Sequence, residues 1–232
     1  MQSPRWFLLA LLTTLAIGAA SARTVAQATT QDDLQAVLDS IGDASRGEQL
    51  FKVCAECHGR QYAAGLPNGW VPEIAGQHPR VLEKQLVDYR HGRRWDDRME
   101  WIAGKHLLKG VQDIADVATY VGGLAPPRTA AVGSGDWVDR GQVLYVKRCT
   151  SCHGNRGEGS DARFVPRLAG QRYEYLLRQM HDIVEGRRPN MAHTHVHMLE
   201  NLGMEDLAGL ADYLSRLSAP SGAELERRTG SS

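Results

Sequence analysis

All four cysteines of this chain lie in two Cys-x-x-Cys-His runs, Cys54-Ala55-Glu56-Cys57-His58 and Cys149-Thr150-Ser151-Cys152-His153. Two thiols three positions apart can add across the two vinyl groups of one haem while the next residue, a histidine, swings under the iron. Whatever fold follows must therefore wrap a flat apolar disc twice. The competing readings fit poorly. A four-cysteine zinc site places its second pair about 15 to 20 residues after the first, whereas Cys57 and Cys149 are far more widely separated. Dithiol redox chemistry needs a βαβ context, and none is legible. Cys54, Cys57, Cys149 and Cys152 are thus read as the attachment points of two covalent haem c groups, with His58 and His153 as iron ligands.

Such attachment calls for export, and the amino terminus supplies a route. Arg5 precedes an apolar run from Trp6 to Ile17, and Ala20-Ser21-Ala22 offers a small-residue cleavage site, with Ala26-Gln27-Ala28 as a second choice. Residues 1–22, or as far as 28, read as a bacterial signal peptide directing the chain to the periplasm. The run is shorter than the ~20 apolar residues of a spanning helix. The remainder is read as soluble or peripherally membrane-associated. The chain carries 27 basic and 27 acidic residues, with 42% hydrophobic and 23% charged. That balance excludes a disordered chain and leaves no basic footprint for nucleic acid.

The two motifs belong to a longer internal repeat. Arg46 to Gly59 (RGEQLFKVCAECHG) answers Arg140 to Gly154 (RGQVLYVKRCTSCHG), Val71 to Gln77 (VPEIAGQ) answers Val165 to Gln171 (VPRLAGQ), and His91-Gly92-Arg93-Arg94 answers Glu185-Gly186-Arg187-Arg188. The offset stays near 94 residues throughout, so one domain of about 80 to 90 residues occurs twice. Expected boundaries are 32–124 for the first domain, 125–139 for a Pro- and Gly-rich linker, 140–218 for the second domain and 219–232 for a polar tail.

Each copy reads as three to four helices with no alternating strand, an all-α class. The first helix runs into the haem motif, with Gly47 and Phe51 on one face and Gly141 and Tyr145 matching them. Glycine there lets the terminal helix, carrying Tyr120 or Tyr213, cross closely. A middle helix begins at Pro79, whose missing N–H costs nothing in a first turn. Leu82, Leu86 and Tyr89 form its buried stripe, and Leu176, Leu177, Met180, Ile183 and Val184 serve in the second copy.

With these residues in place, the chain from about 45 to 218 resembles the dihaem cytochrome c4 family, two class I cytochrome c domains in tandem, each with a PxxAGQ segment after its haem motif. The resemblance implies that the carbonyls of Pro72 and Pro166 accept hydrogen bonds from His58 and His153, that haem propionates face one another across the domain interface, and that the activity is electron transfer. It also implies partners: a quinol-oxidising complex or dehydrogenase as donor and a terminal oxidase as acceptor.

The sixth ligands are less uniform. Met99 is the distal candidate of the first domain, since a thioether suits an electron-carrier iron. In the second domain Met191 best parallels it by its distance from Gly186, with Met198 and His195 as alternatives; His193, His197 and Met204 lie nearby. A His/His haem sits at lower potential than His/Met. His91 and His106 read as surface residues. Arg93-Arg94 and Arg187-Arg188 read either as propionate partners or as solvated turns, and Trp70, Trp95 and Trp101 as haem wall or general packing. The leading expectation is an electron carrier with no bond chemistry. The alternatives are a dihaem enzyme with one open haem, of peroxidase or sulfur-dehydrogenase type, and a cytochrome subunit of a larger dehydrogenase.

Overall fold

Asp43 opens the helix that carries the first motif by accepting from the backbone N–H groups of Ser45 and Arg46, donors with no partner inside the helix. The computed structural model describes residues 30–59, 70–126 and 131–219. The expected leader lies outside them, as do all but one residue of the polar tail. The helices are α1 (30–38), α2 (Ala44–His58), α3 (Pro79–Arg90), α4 (Asp97–Ala103), α5 (Val111–Gly123), α6 (Val138–Arg148), α7 (Thr150–His153), α8 (Tyr173–Val184), α9 (His193–Glu200) and α10 (Met204–Arg216). Among the described residues there is no strand, only an isolated bridge between Ser160 and Val165. The second copy repeats the first, α6 and α7 standing for α2, α8 for α3, α9 for α4 and α10 for α5.

The crossing of first and last helix is built on glycine in both copies. A Cβ on Gly47 would come 2.1 Å from the Asp116 carbonyl oxygen, and one on Gly141 would come 1.9 Å from that of Gly209. The space a side chain would need is filled by backbone. Beside each crossing an aromatic pair packs, Phe51 with Tyr120 at 5.5 Å and Tyr145 with Tyr213 at 5.6 Å between ring centres, an arrangement worth about 0.5–1.5 kcal/mol beyond the area buried. The ion pairs repeat as well: Arg46 holds Asp113 and Asp116, and Arg140 holds Asp206 and Glu205. Asp113 and Asp206 in turn accept from the N–H of Gly110 and Gly203 at the start of α5 and α10.

Two differences from the sequence reading have physical causes. On α3 the fully buried apolar residues are Val81, Val87 and Tyr89, with Leu82 and Leu86 partly buried. That helix is covered on more than one side, because Asp88 also accepts from Asn190 of the second domain. Val184, at the last position of α8, is exposed rather than part of a buried stripe. Val37 of α1, a helix the periodicity did not single out, is fully buried in the first core with Phe51, Val87 and Ile114.

The domains meet through equivalent residues. The Gln77 side chain donates to the Arg167 carbonyl at 3.0 Å and accepts from its N–H at 2.8 Å; Gln171 does the same to Glu73, at 2.9 Å for each bond. Arg94 contacts Gln85 and Gln179, and Arg188 contacts Gln179 and Gln85, closing a ring of two arginines and two glutamines. Glu73 and Arg172, both buried, form an ion pair across the same face. This reciprocity is that of an isologous dimer interface. The glycine stretch of the linker is pinned to the second domain, since Gly133 and Gly135 donate to Asp212.

Candidate functional site

Each motif sits at the end of its first helix, and the chain leaves at a glycine in the left-handed region, Gly59 at φ 83° and Gly154 at φ 79°. That turn ends the helix, and a proline further along the chain lies against each histidine ring. Nδ1 of His58 lies 3.0 Å from the Pro72 carbonyl oxygen, and Nδ1 of His153 lies 3.2 Å from that of Pro166. A carbonyl can only accept, so Nδ1 carries the proton in both rings. The lone pair is left on Nε2, the atom a metal would take. Burial lowers the pKa of both, His153 to about 4, so the rings stay neutral and ready to ligate.

The thiols match attachment better than redox exchange. Burial pushes Cys54 and Cys149 up to about 11, opposite to the lowered pKa of a nucleophilic dithiol. All four cysteines are free of disulfides. Among the described residues no group of three or more His, Cys, Asp or Glu could hold a metal ion.

The site and the interface share peptide groups. The unit joining Pro72 to Glu73 presents its C=O to His58 and its N–H to Gln171, while the unit joining Pro166 to Arg167 presents its C=O to His153 and its N–H to Gln77. Each histidine is therefore held by one peptide whose other end is held by the opposite domain. Such chained hydrogen bonds polarise one another in a low-dielectric interior. Arg94 is buried and Arg188 partly buried, and among the described residues no carboxylate forms an ion pair with either. Burial, then the like charge of Arg94, lowers Arg188 to about 10, and burial lowers Arg167 to about 10. Nε of Arg188, and Nε and Nη1 of Arg167, have no hydrogen-bond partner. A guanidinium does not give up its proton in proteins, so these positions fit a group that brings its own carboxylates, as haem does.

The remaining candidates are distributed as follows. Met99 is the third residue of α4, its N–H held by the Asp96 carboxylate at 3.1 Å, and it is partly buried. Met191 precedes α9 and, partly buried, packs against the cluster formed by Ile183, Leu199 and Leu207. Met198 is partly buried, and Met204 is exposed. Of the three histidines in α9, His193 and His197 are exposed, whereas His195 is partly buried with its ring centre 6.3 Å from that of His153. His91 pairs with Asp33, and His106 packs against Trp101 with the rings tilted by 55°. Trp70, Trp95 and Trp101 are more than half exposed, and Trp70 carries Arg178 over its ring at 5.2 Å. The sequence reading did not single out Gln77, Gln171, Gln85 and Gln179, although the repeat keeps each pair at one offset. The signal was there.

The cytochrome c family profile matches residues 44–125 and 138–218. Cytochrome c4 of Azotobacter vinelandii is 32% identical over 195 residues, spanning 77% of this chain and 90% of that protein. The "Thiosulfate dehydrogenase electron acceptor" of Stutzerimonas stutzeri is 29% identical over 174 residues, spanning 71% and 78%. The crystal structure of reduced cytochrome c4 from Pseudomonas stutzeri superposes with a TM-score of 0.66 at 28% identity, covering 76% of this chain and 99% of that one. Two matched domains, each with a Cys-x-x-Cys-His attachment site and a proline-braced histidine, imply two covalently bound haem c groups, and the chain belongs to the cytochrome c family as a tandem, dihaem electron-transfer protein of the cytochrome c4 kind.

Proposed function

We propose that this chain is an exported, periplasmic one-electron carrier that takes electrons from a dehydrogenase or quinol-oxidising complex and passes them to a terminal acceptor such as an oxidase. The observation that carries this reading is the pair of shared peptide units, which tie both iron-binding histidines into one interdomain hydrogen-bond system. The haem groups supply reversible one-electron iron chemistry. The chain holds, orients and insulates them.

In this reading Cys54, Cys57, Cys149 and Cys152 would hold the two rings, and His58 and His153, each with the lone pair left on Nε2, would ligate the iron. Met99 would supply a further ligand at the first site, and Arg94 and Arg188 would neutralise haem carboxylates. The relative named as the electron acceptor of a thiosulfate dehydrogenase supports a dehydrogenase-type donor. Among the described residues no helix is long and apolar enough to cross a membrane, so delivery relies on docking.

The test mixes the reduced holoprotein with bacterial membranes containing a terminal oxidase and follows both haems by stopped flow. Oxidation of two equivalents per chain, with neither ferrous haem binding carbon monoxide rapidly, is the expected result. Rapid stoichiometric carbon monoxide binding, or turnover of peroxide or thiosulfate by the protein alone, would replace the carrier with the enzyme reading.

A further inference from the structure

The two domains differ where the second face of the iron must be closed. Helix α4 begins after Asp96 and helix α9 after Ala192, so the third residue of α4, Met99, corresponds to the third residue of α9, His195. Counting from the glycine of the preceding turn does not separate the candidates, because Met99 lies seven residues after Gly92 whereas Met191 and His195 lie five and nine after Gly186, and the second copy has two more residues between its arginine pair and the helix. Helix position is the better guide, since it decides which side chains face the motif histidine. Met191 lies before the helix and is occupied by the core, against Ile183, Leu199 and Leu207.

The geometry points to His195 as the sixth ligand of the second haem, opposite His153, in an iron site with two imidazoles. This rests on the reading of two haem sites above. Two imidazoles on opposite faces of one iron, each with a first-row metal–nitrogen bond of about 2.0 Å, hold their ring centres roughly 6 Å apart. The rings of His153 and His195 are 6.3 Å apart with planes at 64°. His195 also has a buried ring nitrogen, Nδ1, without a hydrogen-bond partner, a cost the protein bears with no evident structural return. Its neighbours His193 and His197 point outward, and His197 is taken up by Glu200. The alternating histidines of α9 thus present one ring, not three, to the site.

The consequence is asymmetry between the irons. Imidazole favours the ferric state more than thioether does, so the second haem takes the lower potential and an electron rests on the first. The carrier then has a preferred direction written in one residue.

Far-red absorption of the oxidised holoprotein decides it, because a weak sulfur-to-iron charge-transfer band counts methionine ligands. One band equivalent per two haems is expected, lost in Met99→Leu and retained in both Met191→Leu and Met198→Leu. His195→Met should gain a second equivalent and bring two separated reductive waves together. Two equivalents in the unaltered protein, or a band that disappears with Met191→Leu or Met198→Leu, overturns the assignment. If His195→Met fails to accumulate, electron paramagnetic resonance of the unaltered protein still discriminates: one bis-imidazole low-spin species supports His195, and its absence refutes it. Failure of the carrier reading would look different, as rapid carbon monoxide binding by the ferrous protein.

Discussion

Replacing Gln171 with leucine measures how firmly the two domains act as one body. Leucine keeps most of the volume but can neither donate to the Glu73 carbonyl nor accept from the Glu73 N–H, contacts of 2.9 Å each. Both groups are then buried without partners, at about 1–3 kcal/mol apiece. The leucine recovers part of this by burying apolar surface, about 1–2 kcal/mol. The net loss is about 3 kcal/mol, a factor of roughly 150 in the docking equilibrium. With a urea slope of about 3 kcal/mol per molar, the midpoint falls by about 1 M. Urea unfolding of the holoprotein followed by haem absorbance and by tryptophan fluorescence is the assay. Coincident transitions are expected for the unaltered protein, and in the variant the first should separate from the second. Gln77→Leu, which strips the Arg167 peptide groups in the same way, should behave alike. A midpoint displaced by less than about 0.2 M in both variants would refute the claim that these glutamines hold the interface.

Three further outcomes follow from the same structure. Glu73→Gln takes the carboxylate from buried Arg172 and should cost about 3–5 kcal/mol in thermal unfolding, whereas Asp161→Asn, which breaks an exposed pair with Arg80, should cost less than about 1 kcal/mol. Gly141→Ala forces apart the crossing of α6 and α10 at the Gly209 carbonyl and should destabilise by about 1–3 kcal/mol; a neutral result would show that the crossing is not tight. Glu83 is raised to about 7 by burial and the charge of Asp161, against the pull of Arg80. Its folded pKa exceeds the ordinary 4.5, so the native state keeps a proton the unfolded chain releases, and stability falls as pH rises from about 4.5 through 7. Glu83→Gln should raise the melting temperature at pH 8 and leave it unchanged at pH 4; an equal change at both values would remove Glu83 as the cause.

What could be read from the sequence was what repeats or has fixed chemistry. The motif cysteines and histidines announce themselves by spacing, because covalent geometry leaves few other uses for them, and the crossing glycines with their aromatic partners stand out by the repeat; the prolines facing His58 and His153 came only through the family resemblance. The interface did not announce itself. Gln77 and Gln171 sit in segments plain enough in sequence, but a glutamine beside a turn is ordinarily solvated, and only the approach of the other domain gives it a buried peptide to hold. Arg94 and Arg188 were ambiguous for the same reason. The choice between Met191 and His195 stayed open in the sequence because two residues added before α9 shift a count made from the turn while leaving the helix register intact.

The interface residues also carry an instruction about partners. The positions matching Glu73 and Arg172 in the other half are Arg167 and His78. Were two copies of the second half to meet through this surface, Arg167 of one would confront Arg172 of the other, cation against cation. A single polypeptide containing both halves can place an acid on one side and a base on the other, a division of labour closed to any assembly of identical units. Neighbouring molecules are thereby discouraged from meeting through two second halves, and the surface favours a first half set against a second.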